Sequence, residues 1–108
     1  MNSRDRQIIN RILKEIGIAM DMVKGVNEEA FLSDEKLKRA VCMTLINIGE
    51  LVKNLTRELV DQHKEVPWRE VAGFRDVAAH KYQTLRMEDV YLTVINDLPV
   101  LGNLIKEI

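Results

Sequence analysis

The sequence predicts an all-α fold, an up-and-down bundle of four or five helices with a long central helix and a proline-kinked last helix. Three observations carry this. Apolar residues recur at three- and four-residue steps over long stretches. No stretch alternates apolar and polar residues for long enough to make a strand. Leu, Ile, Val, Met, Lys and Glu dominate, while only 2 of the 108 residues are proline and 5% are aromatic, a composition that suits helices.

Taken in order, Ser3 can cap a first helix, with Asp5 favourably placed in its first turn. Ile8, Ile12, Ile16, Met20 and Val23 follow at helical spacing, Ile9 and Leu13 widen the stripe, and Gly25 ends it. Asn27 to Leu32 can form a single turn before Ser33-Asp34, a second start signal. The next helix carries Leu37, Val41, Leu45, Ile48, Val52 and Leu55 on one face, with Leu59 at its far end. A second face holds Cys42, Ile46 and Gly49. Glycine inside a helix costs about 1 kcal/mol against alanine, so Gly49 points to close approach by another backbone. A helix apolar on two faces is central in a bundle, half of a dimer interface, or both. Val66-Pro67-Trp68 then marks a break, with Pro67 suited to the first position of a helix from Trp68 to Ala79 that buries Val71, Phe74 and Ala78. The last helix spans Met87 to Ile108, with Val90, Tyr91, Val94, Leu98, Leu101, Ile105 and Ile108 inward. Pro99 lacks an amide donor and should kink it.

The bulk numbers set limits on function. A chain of this length reads as one domain, residues 1–108, and 46% apolar with 31% charged residues fits a globular protein. A formal charge of −1 excludes a cationic coat for non-specific nucleic-acid binding, so any such contact is local. One cysteine, Cys42, excludes an internal disulfide and, with two histidines, a Cys/His zinc cage. The start, Met1 to Arg6, lacks the apolar core of a signal peptide, and no apolar run approaches the ~20 residues of a membrane helix. The expectation is a cytoplasmic protein with no membrane contact. Phosphate-loop, serine-hydrolase, zinc-protease and EF-hand motifs are all missing, and no metal or cofactor is expected.

The chemistry-bearing groups gather in one place. Arg75, Asp76, His80 and Tyr82 lie within eight residues of a segment that otherwise reads as buried helix. Asp76 precedes His80 by four positions, so on a helix the carboxylate can meet the imidazole, fix its tautomer and favour a general-acid role. Arg75 precedes His80 by five, roughly 140° around a regular helix. Those two converge on one substrate only if the helix distorts or pairs with its copy across a two-fold axis. The set permits phosphodiester transfer. A histidine exchanges protons with a ribose 2′-OH or the leaving oxygen, and an arginine neutralises the crowded phosphorus transition state. With the 2′-OH as nucleophile no metal is needed, and the substrate is RNA. Between Lys64 and Arg86, five cations (Lys64, Arg69, Arg75, Lys81, Arg86) face three acids, a local excess of +2. Arg69, Lys81 and Arg86 are the RNA-binding candidates. The same residues also read as a surface ion-pair group. His63 reads as a solvated or helix-end histidine, Trp68 as a core anchor, Cys42 as a small buried residue, and Lys36, Lys38 and Arg39 as a solvated face.

The order of these features carries a resemblance. Ile48-Gly49-Glu50, then Val66-Pro67-Trp68, then Arg75-Asp76-Val77-Ala78-Ala79-His80-Lys81-Tyr82 closely resembles the HepT-like branch of the HEPN superfamily, over nearly the whole chain. The resemblance implies a HEPN-like helical homodimer acting as a metal-independent endoribonuclease toxin on transfer or messenger RNA. It implies a nucleotidyltransferase-fold antitoxin as partner. It maps the family's arginine and histidine onto Arg75 and His80, the polar position onto Asp76, and a tyrosine adenylylated by the partner onto Tyr82. The family most often has asparagine where this chain has Asp76, and a carboxylate there adds negative charge where RNA phosphate would bind. The alternative is therefore a non-catalytic dimeric module that docks a nucleotidyltransferase.

Overall fold

In a computed structural model describing residues 1–108, each of the first four helices starts at a side chain that takes over an orphan amide. Helix α1 spans Ser3–Met22, α2 Glu28–Leu32, α3 Glu35–Lys53 and α4 Arg57–Gln62. Asn2 accepts from the Asp5 amide (2.7 Å), Asn27 from Ala30 (2.8 Å), Asp34 from Leu37 (3.0 Å) and Thr56 from Leu59 (3.3 Å). The first cap is thus Asn2, one residue before the expected Ser3. Gly25 adopts φ +74°, a left-handed conformation that ends α1 as its position predicts. Helix α5 follows at Trp68–Lys81, a 3₁₀ turn at Tyr82–Thr84, α6 at Met87–Leu92, a π turn at Thr93–Asp97 and α7 at Leu98–Lys106. Pro67 is the cap of α5 rather than its first helical residue.

The chain is an all-α bundle with α3 at its centre, packed mainly against α5 on one side and α1 on the other, while α7 closes onto α1. Helix α3 buries Val41, Leu45, Ile48 and Val52 together with Cys42 and Gly49. Its two apolar faces are thus both used inside one chain. These side chains join a contiguous core of 20 buried residues, at about 1.5–3 kcal/mol for each fully buried Val, Leu or Ile. In α1 the buried stripe is Ile9, Ile12, Ile16 and Ala19, continued by Val23 just past its end, and Met20 lies exposed. The inward phase runs in 3-4-3-4 steps, which puts Ala19 against the core and turns Met20 about 100° away from it. In α5, Ala78 is buried while Val71 and Phe74 are half-buried.

Two expectations change. Apolar spacing carries the long helix on to Leu59, but α3 stops at Lys53 and a separate α4 begins after Thr56. The break is held from a distance. The buried carboxylate of Asp5 accepts from the Thr56 amide at 3.1 Å and the Thr56 hydroxyl at 2.5 Å, and Arg4 donates to the Asn54 carbonyl at 3.2 Å. Thr56 therefore caps α4 and ties it to α1 at once. Replacing Asp5 by Ala leaves both Thr56 donors without their acceptor, and a loss of about 1–3 kcal/mol is expected in denaturant melts. Secondly, the disruption near Pro99 takes the form of the π turn just upstream. There the Leu98 amide donates to Thr93 O, a five-residue span, so the missing proline donor falls where the α ladder has already been reset.

Tyr91 closes the side of the bundle, donating to the Val26 carbonyl at 2.7 Å with its ring 5.4 Å from that of Phe31. Trp68 is the expected anchor, buried, with its indole donating to the His63 carbonyl at 2.9 Å. Burial pushes the Cys42 thiol up to about 11, against an ordinary 9.0. Its neutral form is therefore a folding asset below pH 9 that is lost as pH rises toward 11. A disulfide reagent at pH 8 should label Cys42 only once denaturant opens the fold, and stability should fall less steeply above pH 9 in Cys42→Ala than in the parent. No helix is long and apolar enough to cross a membrane.

Candidate functional site

Gly49 determines how the site is built. A Cβ placed on it would fall against the Arg75 Cβ at well under contact distance and 3.0 Å from the Val71 carbonyl oxygen. Only a glycine lets α3 and α5 approach this closely, as its position in the helix suggests. One residue on, Glu50 Oε2 lies 2.9 Å from Arg75 Nε. The angle is outside hydrogen-bonding range, so that buried Nε lacks a hydrogen-bond partner despite the ion contact. Arg75 is consequently anchored along α3, with its guanidinium end reaching Asp76.

Asp76 does not face His80. Its Oδ1 accepts from Lys53 Nζ at 2.8 Å and Arg75 Nη1 at 3.3 Å, and no hydrogen bond or ion pair joins it to His80. The neighbour across the helix interface, a lysine of α3, wins over the neighbour four residues along. The Lys53 ammonium hydrogen-bonded to Asp76 holds its carboxyl below the ordinary carboxylate value, with Arg75 adding to the effect. Asp76 is therefore ionised at neutral pH, and this bridge weakens only as pH falls through the lowered value.

His80 is exposed near the end of α5, beside exposed Lys81. Helix α5 is regular from Trp68 to Lys81, so Arg75 and His80 remain about 140° apart and one chain does not bring them together. Tyr82 opens the 3₁₀ turn, half-buried, with the Arg39 guanidinium 5.3 Å from its ring centre. Arg39 and Lys38 also pair with Glu35, at 3.2 Å and 3.1 Å. The expected solvated face of α3 thus has a role beside the tyrosine. Burial raises the Tyr82 phenol above its ordinary value, the nearby Cys42 adds to the rise and Arg39 opposes it. The RNA-binding candidates separate. Lys81 adjoins His80, whereas Arg69, in the first turn of α5, is about 16 Å from His80 along the helix. Arg86 is exposed before α6 with its Nε 3.8 Å from Asp89. His63 ends α4 with its Nδ1 3.5 Å from Glu65 Oε2. Lys53 went unmarked in the sequence. Its only signal there was position, one turn after Glu50.

The profile of a family described as "Ribonuclease HepT-like" matches residues 12–108. A protein of Caldanaerobacter subterraneus named "Putative RNase TTE0752" is 38% identical over 103 residues, which is 95% of this chain and 92% of that protein. One of Thermococcus cleftensis named "Probable ribonuclease HepT" is 32% identical over 101 residues, covering 94% and 92%. No solved structure matches the chain. With its all-helical bundle and a family match running from the middle of α1 to the last residue, this chain belongs to the ribonuclease HepT-like family.

Proposed function

We propose that this protein is an endoribonuclease that cuts RNA by 2′-OH transesterification without a metal, as the toxin of a toxin–antitoxin pair. The observation that carries the reading is the stretch Arg75 to His80, inside the family match, presenting an exposed imidazole five residues after an anchored arginine. The 2′-oxygen attacks phosphorus, the bond to the 5′-oxygen breaks, and a cyclic phosphate and a free 5′-hydroxyl result. His80 accepts the 2′-OH proton or supplies one to the leaving oxygen, and Arg75 stabilises the charge that builds on phosphorus oxygens. Since one regular helix keeps the two residues apart, the working form is a homodimer in which two copies of α5 complete each site.

The partner in this reading is a nucleotidyltransferase-fold antitoxin that adenylylates Tyr82. The phenol attacks the α-phosphorus of a nucleoside triphosphate, pyrophosphate leaves, and the proton goes to a base on the partner. A neutral, half-buried phenol fits a residue that reacts only when such a base is brought to it. The added phosphate beside His80 and Lys81 would then repel RNA. The second reading, a docking module without nuclease activity, is favoured by the Asp76 carboxylate seated between Lys53 and Arg75. Cleavage of mixed transfer and messenger RNA in excess EDTA, with His80→Ala alongside, decides between them. Cutting by the parent alone supports the nuclease. Inactive protein with no AMP on Tyr82 by intact mass leaves the docking module.

A further inference from the structure

The Asp76 carboxylate oxygen marks a point where two cations from two helices converge. Lys53 comes from α3 and Arg75 from α5, and they reach the same atom, Oδ1, at 2.8 Å and 3.3 Å. A negatively charged oxygen held between an ammonium and a guanidinium is the arrangement a phosphate oxygen requires. The point is open to the outside, with the Lys53 side chain 40% and that of Asp76 52% exposed, whereas Arg75 is more enclosed at 28%. Arg75 is further fixed by Glu50, while Lys53 is a point charge on a flexible stem that can follow whichever anion sits there. Lys53 also lines an open cleft between α3, α4 and α5 with Arg57, Lys64 and Arg69, four cations against three acids. That cleft runs from Lys53 to Arg69, in the first turn of α5.

We propose that Lys53 is a phosphate-binding residue of this protein, and that Asp76 Oδ1 holds, in the free chain, the place an RNA phosphate oxygen takes between Lys53 and Arg75. The proposal rests on the RNA reading above. Together Glu50, Arg75, Asp76 and Lys53 carry no net charge, so RNA enters only as the Asp76 carboxylate swings out. Asp76 is then a competitor for the substrate's position, and removing its charge should favour RNA.

The test uses a short, mixed-sequence oligoribonucleotide methylated at every 2′-oxygen, which binds and is not cut. Its Kd is measured by fluorescence anisotropy over a potassium chloride series for the intact parent, Lys53→Gln, Lys53→Arg and Asp76→Asn. Lys53→Gln should weaken binding about tenfold at low salt and flatten the log–log salt slope by about 0.7, one single-strand phosphate contact. Lys53→Arg should retain most of the affinity, and Asp76→Asn should bind more tightly than the parent. A bridge that only staples α3 to α5 predicts otherwise, because Lys53→Gln and Asp76→Asn break the same bridge and would weaken binding alike. Opposite signs support the proposal. Equal signs, an unchanged Lys53→Gln, or no binding by the parent overturn it. The nuclease reading is judged separately, since Lys53-dependent binding without cleavage sinks that reading alone, and cleavage with Lys53-independent binding sinks only this one.

Discussion

RNA cleavage by His80→Ala is expected to fall by about 10²–10⁴ against the parent, the range of a lost proton-transfer group, with an unchanged melting temperature. Both halves follow from where His80 sits. Its residue is exposed at the end of α5, so truncation opens no cavity and breaks no side-chain hydrogen bond or ion pair of the bundle. Arg75→Ala is the instructive contrast. That side chain is partly enclosed, lies against Gly49 and contacts Glu50 and Asp76, so its removal should lower both cleavage and stability. Single-turnover cleavage rates and thermal melts on the same samples separate the two patterns. Residual cleavage within a few-fold of the parent in His80→Ala would remove the imidazole from the chemistry.

Gly49→Ala should destabilise the fold by about 1–3 kcal/mol, even though alanine is the better helix former by about 1 kcal/mol. The added methyl meets the Arg75 Cβ and the Val71 carbonyl, a side-chain root and a backbone atom that no rotamer change can move. Helices α3 and α5 must therefore separate, and with them the contacts of Arg75 with Glu50 and of Asp76 with Lys53. Cleavage should decline together with the denaturation midpoint, although Gly49 itself touches no substrate. A Gly49→Ala protein as stable as the parent would mean that α3 and α5 are not held at this distance.

Much of the fold was legible because it is written in local spacing. The stripes of α1, α3 and α7 follow from 3.6-residue periodicity, the stop at Gly25 from its free φ, and the close approach at Gly49 from a glycine where alanine would make a better helix. What stayed hidden depends on residues far apart in the chain. Leu55 and Leu59 continue the α3 period and mask the cap residue Thr56 between them, at a break that Asp5 and Arg4 hold from some 50 residues away. In the site, the spacing of Asp76 and His80 suggested a pair, since four-residue neighbours share a helix face. Lys53 lies 23 residues upstream and reaches Asp76 across the α3–α5 interface, a partnership that periodicity within α5 cannot contain. The roughly 140° between Arg75 and His80 was legible because α5 is one regular helix across both, so their spacing in sequence fixes the angle.

The packing of α7 onto α1 also bears on synthesis. Ile16, near the middle of the first helix, rests near Gly102, in the last, at 3.6 Å from where its Cβ would be. A chain still on the ribosome has made α5 and its histidine well before it has made the helix that covers α1. The first helix therefore keeps one apolar flank uncovered until α7 has been made, and only then can the bundle close. A copy that stopped before α7 would carry Arg75, Asp76, His80 and Tyr82 without the helix that covers α1.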